Sequence, residues 1–213
     1  MTRKERLYTY LRKRYKENEP IFLAALAVPD MQDAVVRQQM KKLTDDGLLK
    51  RFDTVIYYLP KKSLFRSGSA ISVDDVIRQK YLMADGEQCG YLGGMMFANQ
   101  LGITTQVPMV YEVYTNKATT DYRETKIASL RVILRRPYVP VNGENVSELQ
   151  FLDLMREIVD ISELEGQDLT DKLTGYMREK NVSFARLEKY LPYYPDRIYK
   201  NMYEVGLLNG IST

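Results

Sequence analysis

Apolar residues recur every three or four positions near the start of the chain, the spacing of helices that bury one face. This spacing predicts a first helix over residues 5–17, which buries Leu7, Leu11 and Tyr15. A shorter second helix is predicted over residues 22–27, ended by Pro29. Asp30 is then the expected N-cap of a third helix, because a short carboxylate side chain accepts hydrogen bonds from the first free N–H groups.

The third helix has two contrasting faces. Placing Val36, Met40 and Leu43 towards the core turns a polar stripe outwards, and Gly47 is expected to end the helix in a left-handed conformation. The outward residues are Ala34, Arg37, Gln38 and Lys41, with Lys42 at the edge. Arg can pair with guanine and Gln with adenine through two hydrogen bonds each, whereas a small Ala lets the backbone approach a duplex.

A short hairpin is predicted directly after the third helix. Residues 48–52 and 55–59 form its strands, the turn lies at Asp53 and Thr54, and Lys50 and Arg51 lie near its rim. Three helices followed by a hairpin are typical of a winged helix-turn-helix domain, which we assign to residues 1–62. Residues 63–70 are polar, contain Ser and Gly, and are expected to be a linker.

Residues 71–213 are expected to form a mixed α/β domain with a helical C-terminal part, so the predicted fold class is α+β. Ser72 should cap a helix that runs to about Met83, and a buried helix is expected over 95–101. Alternation predicts strands over 108–115 and 126–134. Helical spacing then returns over residues 146–160, 169–180, 183–191 and 197–208.

Composition removes several classes of chemistry. The chain of 213 residues has no histidine, which excludes histidine-based acid–base catalysis and the usual zinc sites. Its one cysteine, Cys89, cannot form an intramolecular disulfide, and a cytoplasmic location is therefore expected. The glycine-rich GYLGG at 90–94 lacks the Lys-Ser/Thr of a phosphate-binding loop, so we expect tight helix packing there and no cofactor. Any metal would have to be held by Asp and Glu oxygens, and we expect none.

Charge is unevenly distributed along the chain. Residues 1–62 contain 14 Lys/Arg against 8 Asp/Glu, a net charge of +6, although the whole chain carries only +3. A basic N-terminal part indicates a polyanion as partner, and double-stranded DNA fits the predicted fold. The expected DNA-binding residues are Ala34, Arg37, Gln38, Lys41, Lys42, Lys50 and Arg51.

Two other functions fit parts of the sequence. Glu124 and Lys126 have the acid-x-Lys form of metal-dependent nucleases, with Glu112 as a further ligand, but this spacing also arises by chance in charged chains. Alternatively, the chain is a non-catalytic adaptor that binds a protein through its late tyrosines. These are Tyr190, Tyr193, Tyr194, Tyr199 and Tyr203, and core packing explains them equally well.

The segment that begins at Gly90, GYLGGMMFANQLGITTQVPMVYEVYTNK, resembles AbiEi-like bacterial proteins. The stretches LRRP at 134–137 and LQFLDL at 149–154 extend the resemblance, as does VRQQMKKLTDDGLLKR in the predicted winged helix. These proteins are similar to the antitoxins of type IV toxin–antitoxin systems, and the resemblance covers most of the chain.

The resemblance implies a non-enzymatic antitoxin that represses its own operon. Its N-terminal winged helix would bind an inverted repeat in its own promoter, as a dimer on the DNA. Its C-terminal domain would counteract a nucleotidyltransferase-like toxin without forming a stable complex with it. Arg37, Gln38 and Lys41 fall on the helix that such a family places in the groove. No short motif marks an antitoxic residue.

Overall fold

The protein has a mixed α+β fold in two units, Met1–Gln79 and Lys80–Thr213. The computed structural model describes residues 1–62 and 69–208. Most of the predicted linker, at 63–68, lies outside the described residues. In the described part of the chain, no helix combines the length and the apolar character that crossing a membrane requires.

The first unit contains two main helices and a small sheet. Helix α1 spans Arg3–Arg14, strand β1 spans Ile21–Phe22, and a 3-10 turn follows over Leu23–Ala25. Helix α2 covers Asp33–Asp45, and strands β2 and β3 cover Lys50–Asp53 and Ile56–Tyr58. The three strands are antiparallel in the order β1–β3–β2. Helix α3, Val73–Ile77, begins at the predicted cap Ser72, whose hydroxyl accepts a hydrogen bond from the Asp75 N–H.

The expected apolar spacing holds for both main helices. Leu7 and Leu11 of α1 pack with Val36, Met40 and Leu43 of α2, and all five side chains are buried. Because each helix has one apolar stripe, packing the stripes together leaves the opposite faces to solvent. Tyr15, predicted to be buried, follows the end of α1 and is only partly buried.

Two sequence-based expectations for this unit are wrong. The predicted second helix over 22–27 is instead strand β1 followed by a single 3-10 turn, since Phe22 pairs with Ile56 in the sheet. Asp30 is not the N-cap of α2. It has a left-handed φ of 56° and its carboxylate pairs with Arg6 at 2.6 Å, while Gln32 precedes the helix without a side-chain cap.

The second unit is built on a four-stranded sheet. A π-helical stretch over Arg78–Leu82 leads into it, and β4 (Met83–Ala84) and β5 (Glu87–Gln88) form a separate small hairpin. The sheet has the order β6–β7–β9–β8, from strands Gly90–Leu92, Val110–Thr115, Leu130–Arg135 and Tyr122–Ile127. Strands β7 and β9 are parallel, and the other pairs are antiparallel.

The predicted strand over 126–134 is wrong because it contains a turn. Ile127 closes strand β8 opposite Leu130 of β9, so Ala128 and Ser129 form a two-residue hairpin connection. Ala128 has a φ of 52°, a conformation that Gly or Asn usually supplies. Neither residue type marks the turn in the sequence, which explains why the alternation appeared continuous.

Helices pack together to form the core of this unit. They are α4 (Gly94–Gln100), α5 (Val146–Ile161), α6 (Gly166–Glu179), α7 (Phe184–Leu187) and α8 (Arg197–Glu204). Gly102, predicted to end the buried helix α4, has a φ of 67°. Phe151, Leu152 and Met155 of α5 are completely buried at the centre of the cluster. These helices lie where helical spacing predicts them, although α7 and α8 are shorter than expected.

Candidate functional site

The outer face of α2 is a polar stripe that ends near the β2–β3 hairpin. Ala34, Arg37, Gln38 and Lys41 are all exposed, at the i, i+3, i+4 and i+7 spacing of one helix face, and Lys42 is exposed beside them. The helix has 13 residues, so this face is about 20 Å long. Its acidic residues, Asp33 and Asp45, lie at the two ends.

Helix α2 is held rigidly on its inner side. Beyond its buried apolar stripe, it ends in a motif in which the Leu48 N–H donates to the Leu43 carbonyl at 2.9 Å and the Gly47 N–H donates to the Thr44 carbonyl at 3.0 Å. Gly47 has the predicted left-handed φ, 73°. Lys4 of α1 pairs with Asp46 at 2.7 Å and ties the end of α2 to α1. The outer face is therefore presented on a fixed support.

The cations of this face have no counterion among the described residues. Within residues 1–62 and 69–208, no carboxylate pairs with Arg37, Lys41 or Lys42, whereas Lys4 and Arg6 of the same unit are paired. An uncompensated cluster of cations on a rigid helix attracts anions from solution. The Gln38 side chain takes part in a long hydrogen bond of 3.5 Å, which its Oε1 accepts from the Gln39 side-chain amide.

The two hairpin residues predicted to contact DNA differ in availability. Arg51 on β2 is exposed. Lys50 is half-buried, and its Nζ donates a hydrogen bond to the Ser69 carbonyl at 3.2 Å. The Tyr58 hydroxyl, opposite Lys50 in the sheet, donates to the same carbonyl at 3.0 Å. Lys50 thus has a structural role that its sequence position did not indicate.

The residues of the alternative nuclease site lie on the sheet of the second unit. Glu112 of β7 and Glu124 of β8 both align with Ile133 of the intervening strand β9, so they share one row on one face. Arginines neutralise both acids: Glu112 pairs with Arg135, and Glu124 pairs with Arg131 at 2.9 Å. Lys126 is exposed on the edge strand.

Pairing to arginine uses the carboxylate oxygens that a metal would need. In the part of the chain that the structure describes, no group of three or more acidic or thiol side chains is arranged to hold a metal ion. The geometry therefore gives the nuclease alternative no support beyond the shared row.

A buried polar cluster around Asp153 was missed by sequence reasoning. Asp153 of α5 accepts hydrogen bonds from the hydroxyl of Tyr91 and, at 3.4 Å, from that of Tyr194, and Arg156 pairs with it at 2.8 Å. Arg156 also donates to the Tyr114 hydroxyl at 3.1 Å. The signal was present in LQFLDLM, since an Asp within an apolar helical stripe requires buried polar partners.

Burial controls the protonation of this cluster. It raises the pKa of Asp153 to about 6, against the lowering effect of the hydrogen bonds from Tyr91 and Arg156. Burial also raises the pKa of the Tyr91, Tyr114 and Tyr194 phenols well above their ordinary value, and Asp153 adds to the effect. The phenols therefore stay protonated and can donate hydrogen bonds. The cluster fixes α5 against β6 and β7.

The late tyrosines divide between core and surface. Tyr194 is buried beside Asp153, and Tyr190 packs against the core cluster. Tyr193, Tyr199 and Tyr203 are 60%, 48% and 67% exposed. A cleft of about 270 Å³ is lined by Glu144, Arg186, Lys189 and Tyr190. Arg186 is already engaged there, by the buried carboxylate of Glu148 and the Glu144 carbonyl.

Compared with known proteins, the chain matches no protein-family model and no curated relative.

Proposed function

We propose that this protein is a sequence-specific DNA-binding transcriptional regulator whose first unit is a winged helix-turn-helix domain. The observation that carries the proposal is the exposed face of α2, where Arg37, Lys41 and Lys42 have no counterion among the described residues. The order α1, β1, 3-10 turn, α2, β2, β3 supports the winged-helix assignment, with α2 as the reading helix and β2–β3 as the wing.

The chemistry of each side chain suggests its role on DNA. Arg37 and Gln38 would contact base edges, Arg37 by two hydrogen bonds to guanine and Gln38 by two to adenine. Lys41, Lys42 and Arg51 would contact phosphates, where a positive charge suffices. Ala34 would allow close approach or contact a thymine methyl group. Lys50 would have to exchange its hydrogen bond to Ser69 for a phosphate, so we expect a smaller contribution from it.

One reading helix covers only a short stretch of base pairs. Specific binding therefore requires two copies on an inverted repeat, which we place in the protein's own promoter. The resemblance to AbiEi-like proteins extends this proposal to an antitoxin and autorepressor of a type IV system, acting in the bacterial cytoplasm. In that role, the second unit would oppose a nucleotidyltransferase-like toxin without a stable complex.

The test is a binding titration by fluorescence anisotropy, using the full chain and the DNA upstream of its own gene. A scrambled duplex of equal length is the reference. We expect preferential binding to the upstream DNA and a loss of about a hundredfold or more in the R37E/K41E variant, since each lost contact costs about 1–3 kcal/mol. If the full chain binds neither duplex and instead co-purifies stably with another protein, the adaptor alternative is favoured.

A matched control makes the same charge change elsewhere. Lys172 and Arg178 are exposed residues of α6, and a K172E/R178E variant keeps the net charge of R37E/K41E. It should bind the upstream DNA within about twofold of the unmodified protein, because it removes none of the contacts that the proposal assigns to DNA. Equal loss in both variants would show that binding follows net charge and does not involve the α2 face.

A further inference from the structure

The outer strand of the second unit's sheet has an open side. Strand β8, Tyr122–Ile127, lies at the end of the order β6–β7–β9–β8, and no other strand of the described chain pairs with its far side. Tyr122, Arg123, Glu124 and Lys126 are exposed, and Thr125 is half-buried. A six-residue edge with exposed backbone is a template for pairing with another strand.

The hairpin geometry determines which backbone groups of β8 point outwards. The pair that closes a two-residue turn, here Ile127 and Leu130, exchanges hydrogen bonds, and such pairs alternate along an antiparallel ladder. Lys126 and Glu124 therefore direct their N–H and C=O groups away from β9. A strand that pairs with β8 must place residues opposite Lys126 and Glu124 whose own N–H and C=O groups point towards β8.

We propose that β8 pairs antiparallel with β8 of a second copy of this chain, with Thr125 on the twofold axis. In this register Glu124 lies opposite Lys126 of the second copy, and Lys126 lies opposite its Glu124. Each of these pairs exchanges two backbone hydrogen bonds and brings together two opposite charges. The two sheets then join into one continuous sheet through an isologous interface.

Charge selects this register over its neighbours. Two β8 strands can form the hydrogen-bonded ladder only when their outward-pointing residues lie opposite each other. These residues are two positions apart, so the allowed registers differ by moving the twofold axis one residue along β8. An axis at Glu124 opposes two glutamates, one at Lys126 opposes two lysines, and one at Arg123 opposes two arginines. The axis at Thr125 opposes no like charges, since Arg123 then faces Ile127 of the second copy.

The same charges explain why the partner is a second copy. Charged residues on an edge strand usually prevent pairing, because a neutral strand would desolvate them without compensation. Lys126 forms no ion pair in the described structure. Glu124 already pairs with Arg131, but its side chain is still 47% exposed and can accept a second cation. An antiparallel strand that places a lysine opposite Glu124 and a glutamate opposite Lys126 satisfies both charges, and β8 of a second copy provides that order.

Charge exchange tests the proposal directly. Sedimentation equilibrium of the full chain without DNA should show a monomer–dimer equilibrium. E124K and K126E should each weaken the dimer by about tenfold or more, because symmetry turns one substitution into two like-charged contacts. The double variant E124K/K126E should recover most of the lost affinity. The proposal would be overturned if the chain stays monomeric at all accessible concentrations. It would also be overturned if the double variant dimerises no more tightly than the single variants.

Cysteine trapping tests the register. The native Cys89 is buried, and a C89S background removes it as a source of disulfides. T125C should form a disulfide-linked dimer under mild oxidation, because a pair without mutual hydrogen bonds brings two Cα atoms to about 4.5 Å. The matched control E124C should not cross-link, since its opposite residue is a lysine. Cross-linking of E124C in place of T125C would show a different register and reject this one.

The dimer test contains no DNA. Its failure would leave the α2 proposal intact, and failure of the DNA titration would not affect the cross-linking result.

Discussion

Arg37 and Lys41 lie one helical turn apart on the same exposed face, yet their side chains suit different parts of a duplex. The guanidinium group of Arg37 is planar and presents paired donors, which match two acceptors on the edge of guanine. The Lys41 ammonium is a point charge that any phosphate satisfies. If α2 enters the groove, replacing each residue should therefore change binding in a different way.

Arg37→Ala should weaken binding to the specific site by about 1–3 kcal/mol and relax the preference at one base position. Lys41→Ala should weaken binding to all sequences similarly and lower the slope of log affinity against log salt by about 1. Titrations against a set of single-base variants of the upstream site distinguish the two. Uniform loss in Arg37→Ala would show that Arg37 contacts phosphate only.

Gly47 ends α2 in a conformation that other residues adopt at a cost. At a φ of 73°, an alanine would be strained although no atom lies within 4 Å of its Cβ. Gly47→Ala should lower the free energy of unfolding by about 1–2 kcal/mol. Gly175, exposed inside α6 and equally uncrowded, is the matched control: Gly175→Ala should raise that energy by about 0.5–1 kcal/mol. Urea denaturation of both variants measures the two free energies of unfolding. Equal changes in the two variants would contradict the prediction.

At the scale of elements, helix α5 combines a large apolar surface with two buried acids. Glu148 is fully buried and pairs with Arg186, and Asp153 is held by Tyr91 and Arg156. Burying a carboxylate is costly unless its partners compensate for lost water. The two acids therefore fix how α5 sits against its neighbours, but they lower stability wherever the compensation is incomplete.

The raised pKa of Asp153 predicts a pH dependence of stability. The folded protein keeps this proton up to about pH 6, whereas the unfolded chain loses it near the ordinary value of 3.8. The free energy of unfolding should therefore fall as pH rises from about 4 to about 6, and Asp153→Asn should reduce that fall. Asp160→Asn, at an exposed residue of the same helix, should change stability by less than about 0.5 kcal/mol. Denaturation curves across this pH range measure both, and an unchanged slope in Asp153→Asn would contradict the prediction.

Elements with a long, regular apolar stripe were predictable from the sequence. Helices α1, α2, α5 and α6 all lie where the helical spacing places them, and Gly47 ends α2 as expected. The wrong predictions lie where the spacing of apolar residues fits more than one local structure. Phe22 follows a helical pattern but pairs with Ile56 in the sheet, and Ala128 makes a turn without the usual turn residues.

The candidate site was predictable only in part, for a related reason. The exposure of Arg37, Gln38 and Lys41 follows from periodicity within one helix. The cluster joins Asp153 to Tyr91, 62 positions away, and to Tyr194, 41 positions away in the other direction, so it depends on how strands and helices pack. The hydrogen bond from Lys50 to Ser69 likewise joins the hairpin to a distant segment. A local pattern can mark a buried acid such as Asp153, but it does not identify the partners in such long-range contacts.

At the scale of the whole molecule, positive charge is concentrated in the part that carries α2. Residues 1–62 hold a net charge of +6 within a chain of +3, so the remainder is acidic. For the proposed DNA binding, such a distribution predicts contact through the first 62 residues and an affinity that depends strongly on salt. Pairing through β8 would supply the two copies that an inverted repeat needs.

The most direct test is DNA cleavage from a reagent attached to α2. In the C89S background, Gln38→Cys carries a tethered iron chelate, and Tyr199→Cys, exposed on α8, carries the same reagent as control. We predict that the complex with the upstream DNA is cut by the Gln38→Cys conjugate within a few base pairs of each half-site, and not by the control. Cleavage from Tyr199→Cys alone, with the DNA bound, would contradict the proposal that α2 is the DNA-reading element.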